Sequence, residues 1–178
     1  MNETGTEFIA RSRHHFVEDF LPKIERCLER LTDDQIWWRP NDQSNSIGNL
    51  LLHLCGNARQ WIVCGVGGAA DTRNRDAEFA QREQIPRAEL HSLLKQTLQD
   101  VDATLAQYDA NGLLERRTIQ GNDVSVLNAI LHVVEHFSMH TGQILMLTKM
   151  LINADLSFYQ FDGTTAVPKW KIDAAHSP

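Results

Sequence analysis

Three histidines stand four and four residues apart in the stretch from Ser125 to Ile152, SVLNAILHVVEHFSMHTGQILMLTKMLI: His132, His136 and His140. The stretch contains no Pro, is dominated by Leu, Met, Ala and Ile, and reads as one long amphipathic helix. Ser125 is placed to cap its start by accepting from the free amides of the first turn. Residues i and i+4 share a helix face, so the imidazoles form a row. The row borders an apolar surface that includes Leu127, Ile130, Val133, Phe137 and Ile144. Such a row suits metal ligation, because neutral imidazole is a common metal ligand. A helix rises about 1.5 Å per residue, so i to i+4 spans about 6 Å and i to i+8 about 12 Å. Two imidazoles one turn apart can meet on one ion through bonds of about 2.1 Å; His132 and His140 cannot. The spacing therefore implies an adjacent pair, leaves open which pair, and requires a third ligand from elsewhere.

A second long helix is predicted after Ser46, over IGNLLLHLCGNARQWIVCG. Asn49, His53 and Asn57 form a polar i, i+4, i+8 row there among Leu50, Leu51, Leu54 and Trp61. A lone His in such surroundings is ordinarily a hydrogen-bonded core residue; the histidine row downstream makes His53 the candidate third ligand. Cys55 lies two residues from His53 and points away from it, which argues against a Cys nucleophile. His14 and His15 point about 100° apart on a helix and cannot act as a pair; they and His91 are read as surface or packing residues.

Two competing letter patterns need weighing. His132-Val133-Val134-Glu135-His136 fits the H-x-x-E-H pattern of zinc proteases, with Glu135 as general base. That pattern needs a further carboxylate ligand downstream, where only Asp155 and Asp162 precede the last residues. Glu135 is kept as a candidate proton-transfer residue. Gly65-Val66-Gly67-Gly68-Ala69-Ala70 matches G-x-G-x-x-A, but it follows a helix rather than a strand, so it is not a dinucleotide site. It reads instead as helix termination and a flexible loop to about Gln84.

Four long helices position these residues, near 7–31, 46–63, 86–109 and 125–152. In the first, Ile9, Phe16, Phe20, Ile24 and Leu28 recur at helical spacing, and Pro22 bends it or begins a second section. Thr32-Asp33-Asp34-Gln35 reads as the capping box of a short turn carrying Ile36, Trp37 and Trp38. Pro86 suits the first position of the third helix. Residues 113–124 form a connector with room for a short extended piece, and 153–178 an irregular tail packing on the bundle or on a partner subunit. The 178 residues suit a single domain. A net charge of −6 without a Lys/Arg cluster argues against nucleic acid. No apolar run is long enough to span a bilayer, and the N-terminus MNETGTEF is unlike a signal peptide. Three cysteines without CxxC spacing suggest reduced thiols. Together these predict a cytoplasmic protein.

SNSIGNLLLHLCGNARQWI, followed much later by EHFSMHTGQI, resembles the DinB/YfiT-like superfamily, and most closely its uncharacterised bacterial subgroup; the likeness covers roughly 16–151. The resemblance implies an all-α, up-down-down-up four-helix bundle, commonly a homodimer. It implies a metal site made of one His from the second helix and two from an HxxxH on the fourth, just before Gly-Gln. Carried over, the ligands are His53, His136 and His140, followed by Gly142-Gln143. Some relatives are transferases or isomerases that use bacillithiol, mycothiol or glutathione. Three neutral imidazoles leave a divalent charge uncompensated and a coordination position open, as in catalytic sites. Zinc or nickel suits the donors. Asn49, Asn57, Gln143 and His132 are the expected neighbours that orient ligands or substrate. The expected function is therefore a divalent-metal-dependent enzyme acting on a small molecule, with a low-molecular-weight thiol as cosubstrate of an S-transfer. Hydrolysis of a small substrate, or non-catalytic binding of a metal or ligand, are the alternatives.

Overall fold

A computed structural model describes residues 2–170. Four long helical rods form the bundle. The first is α1 (Glu3–His14), a π-helical segment (His15–Phe20) and α2 (Leu21–Leu28) in series. After the short α3 (Asp33–Trp37), the second rod is α4 (Ile47–Ala58), continued by a π-helical segment (Arg59–Val66). A further short helix, α5 (Arg75–Ala80), precedes the third rod, α6 (Arg87–Gln107), and α7 (Val126–Ile152) is the fourth. The helix starts follow the sequence signals. Thr32 with Gln35, and Ser46 with Asn49, form complete capping boxes, and Ser125 Oγ accepts from the Asn128 amide. Pro86 sits one residue outside the third rod, at its N-cap.

Pairs of contacts set the directions of the rods. Arg13 with Asp102 and Glu25 with His91 make the first and third rods antiparallel. Leu52 and Leu93, which line one cavity, and Arg59 with Asp100 make the second and third parallel. His53 with His136 and Asn57 with His132 make the second and fourth antiparallel. The order is thus up-down-down-up. Because the second and third rods are parallel, the chain must return along the whole second rod, about 30 Å at 1.5 Å per residue. The 67–86 segment makes that return, crossing the histidines on its way.

Between the rods lie Phe16, Ile24, Leu51, Leu54, Ile62, Leu94, Leu98, Ile130, Val133, Phe137 and Ile144, all at most 1% exposed. The rings of Phe16 and Phe137 meet edge to face at 5.4 Å, a geometry worth about 0.5–1.5 kcal/mol beyond area burial. Pro22 does not break the first rod. It has no N–H to offer the Glu18 carbonyl, the helix widens to π register just before it, and Trp170 Nε1 donates to that carbonyl instead at 3.1 Å.

The extended piece expected in the connector is present as a paired hairpin, and the tail differs from expectation. The 113–124 connector holds an antiparallel hairpin of β1 (Arg116–Ile119) and β2 (Asn122–Ser125). The tail is not irregular over 159–168, where β3 (Tyr159–Asp162) pairs with β4 (Thr165–Pro168). Buried Leu156 leads into this hairpin, tied down by Arg26 Nε donating to its carbonyl. The remainder of the tail, 171–178, lies outside the described residues. Among the described residues no helix is long and apolar enough to cross a membrane.

Candidate functional site

The antiparallel contact of the second and fourth rods brings their polar rows face to face. One nitrogen from each of His53, His136 and His140 lies within 4.8 Å of the other two. His53 Nε2 and His136 Nε2 are 2.8 Å apart. His53 is buried and the other two are half-buried, so the cluster opens outward past the fourth rod.

Hydrogen-bond partners assign the ring tautomers. His53 Nδ1 lies 2.9 Å from Glu78 Oε2, and a carboxylate only accepts, so Nδ1 carries the proton and the Nε2 lone pair faces the cluster. His140 Nδ1 lies 2.7 Å from Gln143 Oε1, with the same consequence. Across the gap, His136 Nε2–H donates to His53 Nε2. Burial, reinforced by the neighbouring imidazoles, pushes His136 down to about 3, and burial also lowers His140 and His132. The shifts favour the neutral form of His136 and His140, the form that binds metals. Two imidazole nitrogens on one tetrahedral ion are about 3.4 Å apart for bonds near 2.1 Å, a value bracketed by the 2.8 Å and 4.8 Å found here. The three residues fit a divalent ion.

Behind His53 stands a pair that sequence reasoning did not find. Arg73 grips Glu78 with two bonds, Nε to Oε1 at 2.7 Å and Nη2 to Oε2 at 2.9 Å, and its Nη1 donates to Gln60 Oε1. Burial alone would raise the Glu78 carboxyl, but hydrogen bonds from Arg73 and His53 hold it below its ordinary value. Gly56 lies against this carboxylate: a Cβ there would collide with Glu78 Oε1. A helix-interior Gly costs about 0.5–1 kcal/mol relative to Ala, and here it leaves the room that Glu78 occupies. Both charged residues arrive on the return segment, which reads as a loop in the sequence. The available signals were Gly56 inside an apolar helix and the buried polar Asn49.

The other candidates fall as follows. Asn49 touches no histidine; its amide donates to the carbonyls of Glu78 and Gln81, fastening the end of α5. Asn57 Nδ2 lies 3.3 Å from His132 Nε2, leaving its buried Oδ1 without a partner. His132 packs on Trp61 at 4.1 Å between ring centroids and stands outside the three-histidine group. Glu135 is not brought to the cluster. It is exposed and faces a groove with His15, Asp19 and Met139, because one residue along a helix turns its side chain about 100° from His136. His14 and His15 both approach Asp19, and His91 bonds Glu25. Cys55 is fully packed, and burial raises its thiol to about 12, which removes it as a nucleophile. A cavity of about 360 Å³ lies on the far side of Arg73 and Glu78, lined also by Leu52, Arg59 and Cys64.

The family model for a protein of unknown function, DUF1572, matches residues 3–161. No curated protein matches the chain. Among solved structures, a DinB-like protein (YjoA) from Bacillus subtilis is 20% identical with a TM-score of 0.64, over 86% of this chain and 99% of that one. A conserved protein from Enterococcus faecalis is 15% identical with a TM-score of 0.61, over 86% and 98%. A DinB-like protein from Bacillus cereus is 16% identical with a TM-score of 0.57, over 76% and 92%. At these identities the likeness speaks for the fold.

Proposed function

This chain belongs to the DUF1572 family of proteins of unknown function and has the DinB-like fold, and we propose that it is a divalent-metal-dependent enzyme that activates a low-molecular-weight thiol for transfer to a small electrophile. The observation that carries this reading is the convergence of His53, His136 and His140 with no carboxylate in the group. A zinc or nickel ion held by His53, His136 and His140 would supply Lewis acidity that lowers the pKa of a thiol. The chain's own residues do the rest. His53 is locked in its tautomer by Glu78, and His140 by Gln143. Phe79, 4.6 Å from the His53 ring between centroids, covers one flank and excludes water from that side.

The test is thiol consumption by metal-loaded protein, using glutathione, mycothiol and bacillithiol with a chromogenic electrophile. Metal-dependent acceleration that disappears on chelation supports the reading. Acceleration of ester or amide hydrolysis alone makes the protein a hydrolase, and tight metal binding with neither activity makes it a binding protein.

We also propose a homodimer. Met139, Met146 and Met150 are 54%, 61% and 56% exposed and fall on one stripe of α7, with open space above Gly142 between them. An apolar stripe of this kind on a helix face suits a second copy.

A further inference from the structure

We propose that Glu78, held by Arg73 and seated on Gly56, is the positioning residue of the metal centre: it fixes the His53 tautomer and orients that ring toward the ion. The inference rests on the three-histidine reading and extends it to the return segment. A buried ion pair is weak evidence of a stabilising role, because desolvation offsets much of the attraction between its charges. Arg73 and Glu78 have side chains only 4% and 10% exposed, so their burial calls for another reason. The direction of Glu78 supplies it. One oxygen accepts two bonds, from Arg73 and from His53 Nδ1, and the other is occupied by Arg73. Arg73 thus takes up the lone pairs that would otherwise let the carboxylate turn, and the remaining bond points at His53.

Four devices set the carboxylate in that place. Asn74 caps α5, its side-chain oxygen accepting from the Ala77 amide. Asn49, itself tied to Ser46, donates to the Glu78 and Gln81 carbonyls. Arg73 supplies the two-bond grip; its Nη2, 3.1 Å from His53 Nδ1, donates to Glu78 Oε2 instead, because a protonated Nδ1 cannot accept. Gly56 clears the space, since any side chain there would collide with Glu78 Oε1. Together they give His53 the carboxylate partner that metal-bound histidines characteristically have, loss of which typically costs about 10–100-fold in metal affinity.

The test uses zinc affinity by chelator competition, the visible spectrum of the cobalt-loaded protein, and long-range nitrogen–proton NMR of the histidines. In the wild type, His53 should carry its proton on Nδ1 with and without zinc. Glu78→Gln keeps the shape and should lower zinc affinity about 10–100-fold and shift the cobalt spectrum, with helix content unchanged. Gly56→Ala should produce a loss of the same order, though it lies in a helix where Ala is favoured. An Nε2–H tautomer of His53 in the zinc-free wild type overturns the proposal. So do Glu78→Gln and Gly56→Ala proteins that bind zinc within twofold of wild type and give its cobalt spectrum. His53→Ala separates the two levels: if it also binds zinc like wild type, the three-histidine site itself is wrong.

Discussion

Replacing His53, His136 or His140 with Ala removes one of three converging donors, and each change should sharply lower zinc affinity. His132 packs on Trp61 and meets Asn57 instead, so His132→Ala should act more mildly, within about 10–100-fold. Metal titration of the four single variants checks this; full affinity in His140→Ala with loss in His132→Ala would reverse the assignment. Acid provides a second check. An unfolded chain takes up a proton on His136 near pH 6.5, whereas the folded one resists until about 3. The unfolded state binds more protons between those values, so metal-free stability should fall as the pH drops below 6.5. Glu78, held below its ordinary 4.5 by Arg73 and His53 against the effect of burial, adds a loss at lower pH still. Urea midpoints at about pH 7.5 and about pH 5.5 measure the first part, and equal midpoints would contradict it. The row of His132, His136 and His140 was legible from helical spacing, while the choice of His136 and His140 with His53 came from the family resemblance. Glu78 and Arg73 were not legible, since their closeness to His53 depends on the path of a loop without periodicity.

Among the elements, the return segment is the one on which the site depends. Asn49 closes the capping box of α4 and holds the end of α5, so Asn49→Ala opens the capping box while Ser46 still caps the helix, and leaves two carbonyls without their donor. Thermal melting of the metal-free variant should show the lower stability, and zinc affinity should fall with it, because α5 carries Glu78. An Asn49→Ala protein with wild-type melting and affinity would remove α5 from the account. The four rods were readable from apolar periodicity, and the caps of the second and fourth from Ser46 and Ser125 placed before the apolar runs. The hairpins were harder, because four-residue strands give little alternation. Their turns did carry signals: Gln120 and Gly121 both have positive φ, as a two-residue hairpin loop favours, and Asp162-Gly163 opens the second.

For the whole molecule, the methionine stripe on α7 predicts self-association. Light scattering at micromolar concentration should give twice the 20.2 kDa chain mass, and Met146→Lys, which places a charge in the middle of the stripe, should return it to the monomer. A wild-type mass of one chain would remove the dimer. The bundle's direction scheme also explains where the site lies: only antiparallel second and fourth rods set His53 against the His136–His140 pair, and only parallel second and third rods require the return that brings Glu78. The three histidines so assembled could hold one ion. Elemental analysis of the purified wild type beside the His53→Ala/His136→Ala/His140→Ala triple variant, after equal exposure to zinc and gel filtration, tests this most directly. The account predicts one divalent ion per wild-type chain and none in the triple variant; equal metal in both, or none in either, would contradict it.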